Sequence, residues 1–77
     1  PPYKVDNEPL FFEVIKQAFA QRRKQLANPV SAYFKIPKAV LAEKMTEGGI
    51  PATARAEQLT MSELVKLYEI IDELKKE

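Results

Sequence analysis

The chain contains no cysteine and no histidine. Without cysteine, no disulfide or thiolate site can staple it. Without either residue, the usual zinc ligands, the cysteine or histidine nucleophile pairs and the commonest general base are all missing. Catalysis by these residues alone is therefore not expected, and no metal site is. Glycine occurs only twice, as the pair Gly48-Gly49, which leaves no Gly-rich loop to cradle a phosphate. Long apolar runs are also lacking: none approaches the roughly 20 residues of a membrane span, and nothing resembles a signal peptide. A soluble, cytoplasmic chain is the expectation.

What is present suits one small domain. The 77 residues include 21 of leucine, isoleucine, valine or phenylalanine, enough for a modest core. The chain opens on Pro1-Pro2 followed by polar residues, which reads as a linker, so residues 1–7 are assigned to a linker and 8–77 to a helical domain. Net charge is only +1, but it is unevenly spread. Residues 1–44 carry eight cations against four carboxylates, a net of +4, and residues 45–77 carry four against seven, a net of −3. Such a division can give a neutral domain one basic and one acidic face, and the basic one is what a phosphate backbone would feel.

The apolar spacing predicts an all-α fold, a small orthogonal bundle of about four to five helices with long first and last helices packed together. Asp6 or Asn7 can cap a first helix that has Glu8 and Pro9 in its first turn, with periodicity running to Leu26, so that a helix over about residues 8–27 is expected. Asn28-Pro29 is read as its stop, followed by a short helical segment from Val30 to Phe34. Pro37 fits the first turn of a third helix that has Val40, Leu41 and Met45 on one side and Gly48-Gly49 at its left-handed C-terminal end. Ile50 to Leu59 reads as a helical turn and a connector. Thr60-Met61-Ser62-Glu63 is a capping box, which starts the last helix at Met61, and Leu64, Leu67, Tyr68, Ile71 and Leu74 form a stripe facing the first helix.

The run Gln21-Arg22-Arg23-Lys24 carries the sharpest functional signal. On a wheel of about 100° per residue, Phe11, Ile15, Ala18, Phe19 and Leu26 share one face, with Phe12 and Val14 at its margins. Arg22 falls inside that apolar stripe, where a charge needs a partner, and Glu57 in the acidic connector is the candidate for a structural ion pair. Arg23 lies at the edge near Lys16, and Lys24 points outward, free for a polyanion or simply solvated. Tyr33, Phe34, Lys35 and Lys38 interleave rings with cations, a pattern that can stack bases and hold phosphates or, more simply, plug one end of a bundle. Lys16, Arg23, Lys24, Lys35 and Lys38 are thus the candidate nucleic-acid-binding residues. Glu69, Asp72, Glu73 and Glu77 make the last helix acidic, a solvated face rather than an acid–base pair. That acidity also argues against a helix-turn-helix reading with this helix in a groove.

Phe12, Phe19, Gln21 to Lys24, Leu26 and Asn28, then Gly49-Ile50, Ala54 to Glu57 and Leu59-Thr60, together resemble the C-terminal domain of the small-subunit ribosomal RNA adenine dimethyltransferases of the KsgA type. The resemblance covers most of the chain and includes the Pro-Pro that follows the catalytic domain in that family. It implies a missing N-terminal domain that binds S-adenosylmethionine and dimethylates adenines, with this chain as a non-catalytic accessory. The chain itself has neither the Gly-rich cofactor turn nor the Asn-(Leu/Ile)-Pro-(Tyr/Phe) motif of that domain, so no cofactor is expected in it. The partners implied are ribosomal RNA or the small ribosomal subunit and the chain's own catalytic domain, the fragment itself being monomeric. The rival expectation is a structural or protein-interaction module that braces the catalytic domain or binds a ribosomal protein.

Overall fold

In a computed structural model, described for residues 5–20 and 23–76, the chain is helical, with α1 (Glu8–Ala20), α2 (Ala27–Phe34), α3 (Lys38–Glu47) and α4 (Met61–Lys76) joined through a 3-10 turn at Ala56–Gln58. No strand occurs among the described residues; only Gln25 and Arg55 meet, in one isolated antiparallel bridge. The small all-α bundle expected from the sequence is what forms.

Local chemistry sets most of the helix ends. Asn7 caps α1, its Oδ1 accepting the Leu10 N–H at 3.2 Å, and Pro9 falls where a helix has no N–H to lose. The capping box starts α4 at Met61: the Thr60 N–H donates to Glu63 Oε1 at 2.9 Å and the Glu63 N–H to Thr60 Oγ1 at 3.3 Å. α3 closes in a Schellman turn in which Gly49 takes φ +84° and Ile50 donates to the Met45 carbonyl at 2.8 Å. Both Met45 and Ile50 are buried, which is the apolar contact that accompanies this motif. α2 ends the same way, with Ile36 donating to the Ser31 carbonyl at 2.9 Å, but the left-handed residue here is Lys35, at φ 57°.

α1 and α2 depart from the bounds expected from the sequence. The first helix does not run to about residue 27: it spans Glu8–Ala20, and Arg23 to Leu26 lie in a turn. A distant segment takes over there, because the Leu26 N–H donates to the Ala54 carbonyl at 3.0 Å, next to the bridge between Gln25 and Arg55. Nor is Asn28-Pro29 a stop. Both sit in the first turn of α2, where the proline's missing N–H costs no helical hydrogen bond.

The core gathers Val14 and Ala18 of α1, Leu26, Ala27 and Val30, Leu41 and Met45 of α3, Ile50, Ala54 and Ala56, and Leu67, Tyr68, Ile70 and Ile71 of α4. The α4 stripe is therefore buried as expected, with Leu74 partly covered. On α1 the buried face is rotated from the one the wheel predicts: of the two margin residues Val14 is fully buried and Phe12 is 66% exposed, while Phe19, expected on the core face, is 39% exposed. Small side chains at Val14 and Ala18 let α1 approach its neighbours closely, and the seam follows them rather than the bulkiest rings. Val40 is likewise exposed, although the sequence pattern puts it on one side with Leu41 and Met45. Val5 packs against the core, so the chain is docked before α1 begins.

Candidate nucleic-acid interface

All five candidate cations are exposed, and none joins an ion pair among the described residues. Lys16 projects from α1. Arg23 and Lys24 do not lie along a helix edge as expected; they occupy the turn between α1 and α2, where the backbone has left the helix to meet Ala54. Lys35 occupies the left-handed end of α2, and Lys38 opens α3. α2 thus separates two groups, Arg23 and Lys24 before its start and Lys35 and Lys38 after its end. Its eight residues span about 12 Å.

The expected structural pair of Arg22 and Glu57 falls partly outside view, since Arg22 lies outside the described residues. Glu57 sits in the 3-10 turn, about half exposed, with its carboxylate 4.0 Å from Arg55 Nη1. At that distance and exposure the Arg55–Glu57 contact contributes little, at most about 1 kcal/mol.

Around Lys35 the structure builds a cleft that the sequence reading saw only in part. It has a volume of about 590 Å³ and is lined by Asn7, Leu10 and Glu13 near the start of α1, Tyr33 to Lys35 at the end of α2, and Lys75 at the end of α4. The Tyr33 and Phe34 rings meet edge to face, 4.9 Å between centroids. Lys75 Nζ stands 5.7 Å from the centre of the Phe34 ring, within cation–π range. Tyr33 is half exposed rather than plugging the bundle, whereas Phe34 packs partly against the core. The Tyr33 phenol is held above its ordinary pKa, first by hydrogen bonding to the Glu13 carboxylate, then by that carboxylate's charge and by slight burial. Glu13 Oε2 is itself buried with no hydrogen-bond partner among the described residues.

Sequence reasoning missed Lys75 and Glu13. Lys75 is hidden in a helix whose composition is acidic, and Glu13 in one read for its apolar stripe. The interleaved Tyr33-Phe34-Lys35 pattern was the one signal pointing to this place. Glu69 and Glu73 of α4 are exposed as a solvated acidic face, with Asp72 held 3.2 Å from Lys76 Nζ. A polyanion would avoid that side. Among the described residues no group of three or more acidic side chains is placed to hold a metal, and no helix is long and apolar enough to cross a membrane.

No family model matches the chain. It is, however, similar to proteins named ribosomal RNA small subunit methyltransferase A. Identity is 46% over 74 residues with that of Lachnoclostridium phytofermentans, covering 94% of this chain and 26% of the relative. With the Clostridium perfringens protein it is 40% over 72 residues, covering 94% and 25%. With the Staphylococcus aureus protein it is 42% over 72 residues, covering 90% and 24%. The chain therefore spans about a quarter of the length of the curated relatives it matches.

Proposed function

We propose that this chain, which matches the C-terminal domain of the KsgA-type small-subunit ribosomal RNA adenine dimethyltransferases, serves as a non-catalytic accessory domain that holds small-subunit ribosomal RNA for a catalytic domain elsewhere in its parent. Residues 1–7 would then join that domain to the helical domain of residues 8–77. S-adenosylmethionine and the methyl transfer belong to the catalytic domain, and the parent works in the cytoplasm on ribosomal RNA or the pre-ribosomal small subunit.

The observation that carries this reading is the disposition of Lys16, Arg23, Lys24, Lys35 and Lys38: every one is exposed, and none is neutralised by a carboxylate among the described residues. Exposed cations on turns and helix ends suit phosphates, which fix position without reading sequence. Because the two groups flank α2, a strand of RNA crossing that helix could touch both. The acidic outer face of α4, by contrast, would repel a phosphate backbone.

The alternative is a structural or protein-interaction module, bracing the catalytic domain or meeting a ribosomal protein. Its support is the exposure of Phe12 and Phe19, two rings left uncovered on α1. Titration of the chain with a small-subunit RNA fragment at two salt concentrations separates the readings. Phosphate contacts release counterions, so affinity should fall steeply as salt rises, whereas an apolar protein contact changes little. Absence of salt-dependent RNA binding, in the chain and in its full-length parent, rejects the RNA role.

A further inference from the structure

We propose that the cleft between the start of α1 and the end of α2 binds a single unpaired guanine nucleotide, with Tyr33 stacking on the base, Glu13 accepting from its Watson–Crick edge, and Lys35 and Lys75 holding its phosphate. This deepens the RNA-holding reading, on which it rests, by giving that surface one base-reading position.

The cleft brings two lysines and one carboxylate together, which leaves a net positive site that still contains an acceptor. A site for phosphate alone gains nothing from Glu13, and a purely apolar contact gains nothing from Lys35 and Lys75. A ligand that carries an anion at one end and hydrogen-bond donors at the other uses both, and a nucleotide is such a molecule.

The rings supply the third element. Tyr33 is half exposed and meets Phe34 edge to face at 4.9 Å, which leaves ring surface open to a ligand. Base–aromatic stacking on an exposed, supported ring is the usual way an unpaired nucleotide is held. Lys75, 5.7 Å from the Phe34 ring centre, is tethered over the same aromatic pair, and Lys35 follows directly in the chain.

Glu13 selects the base. An ionised carboxylate only accepts hydrogen bonds. Guanine offers two adjacent donors, its ring N1–H and its exocyclic amine, which can meet the two carboxylate oxygens together. Adenine and cytosine offer only an amine beside an acceptor nitrogen, and uracil a single N–H flanked by carbonyls that the carboxylate repels. The Oε2 atom of Glu13, buried and without a partner among the described residues, is the acceptor a guanine would satisfy. Reaching it requires a shift of the Tyr33 side chain, which is exposed enough to move.

The test is a titration of the isotopically labelled chain, followed by amide chemical shifts, with guanosine, adenosine, cytidine and uridine monophosphates and with inorganic phosphate, all at matched ionic strength. Guanosine monophosphate should move the amides of Glu13, Tyr33, Phe34, Lys35 and Lys75 and bind roughly tenfold tighter than uridine monophosphate. Glu13→Gln should remove that preference while phosphate-induced shifts at Lys35 persist. Tyr33→Leu should weaken all four nucleotides together. Equal shifts from guanosine monophosphate and inorganic phosphate, or an unchanged preference in Glu13→Gln, would overturn the proposal. Salt-dependent RNA binding with no guanine preference would overturn it too, yet leave the RNA-holding reading intact. Guanine-selective shifts in a chain that holds no ribosomal RNA would uphold the cleft and sink that reading.

Discussion

The Tyr68 hydroxyl accepts the backbone N–H of Asn7 at 2.9 Å, tying the residue that caps α1 to the buried face of α4 across 61 positions of sequence. The Tyr68 ring also meets Phe11 edge to face, 5.5 Å between centroids. One side chain therefore fixes where α1 starts and how it lies on α4. Tyr68→Phe should cost about 1 kcal/mol, the worth of one hydrogen bond, and Tyr68→Ala about 3 to 5 kcal/mol, through the cavity it leaves. Urea denaturation measures both, and faster hydrogen exchange at the Asn7 amide in Tyr68→Phe would locate the loss.

The capping box at Thr60 and Glu63 makes a local prediction. Thr60→Ala removes the acceptor for the Glu63 N–H and should destabilise the chain by about 1 kcal/mol. Thr60→Ser keeps that acceptor and should cost far less. Thermal unfolding followed by circular dichroism distinguishes the two.

Lys35 stands at φ 57°, a conformation in which a side chain is disfavoured and glycine is not. Lys35→Gly should therefore raise stability by about 1 kcal/mol, provided the Schellman hydrogen bonds are kept. The same change deletes a candidate phosphate contact, so affinity for RNA should fall as stability rises. Parallel losses of stability and binding would contradict this account of Lys35.

The neighbouring Glu13 raises the pKa of Tyr33, which sets a direction for alkaline pH. Between the ordinary tyrosine range and the raised value, the folded chain holds a proton that the unfolded chain has released, so stability falls as pH rises through that window. Below it the effect is fully present and constant. Glu13→Gln should return the phenol toward its ordinary range, and comparing phenolate absorbance titrations of the chain and of Tyr33→Phe isolates this residue from the other tyrosines.

In the full-length parent, Arg23→Glu combined with Lys24→Glu should weaken ribosomal RNA binding and flatten its salt dependence without unfolding the protein, since both side chains are exposed on a turn. Binding and methylation unaltered by that pair of changes would favour the bracing role.

The helix ends governed by closures three to five residues long were legible from the sequence alone. Thr60 and Glu63 set the start of α4, Gly49 the end of α3, and Asp6 or Asn7 the start of α1, where the structure uses Asn7, because in each case the donor and acceptor are neighbours along the chain. The α4 stripe was legible too, since apolar spacing over a 16-residue helix leaves one choice of buried face. The end of α1 was not. It depends on the carbonyl of Ala54, which takes the Leu26 N–H from 28 positions away and turns Arg23 and Lys24 out of the helix in which their wheel positions had meaning. Phe12 and Phe19 stayed outside for a related reason: a wheel ranks residues by hydrophobicity, but packing against three other elements ranked them by fit, and Val14 and Ala18 fitted. The cleft is the clearest case. Tyr33 and Lys35 were readable as a pattern, yet Glu13 and Lys75 join them only because tertiary packing brings the start of α1 and the end of α4 to the same end of α2, a juxtaposition no spacing along the chain encodes.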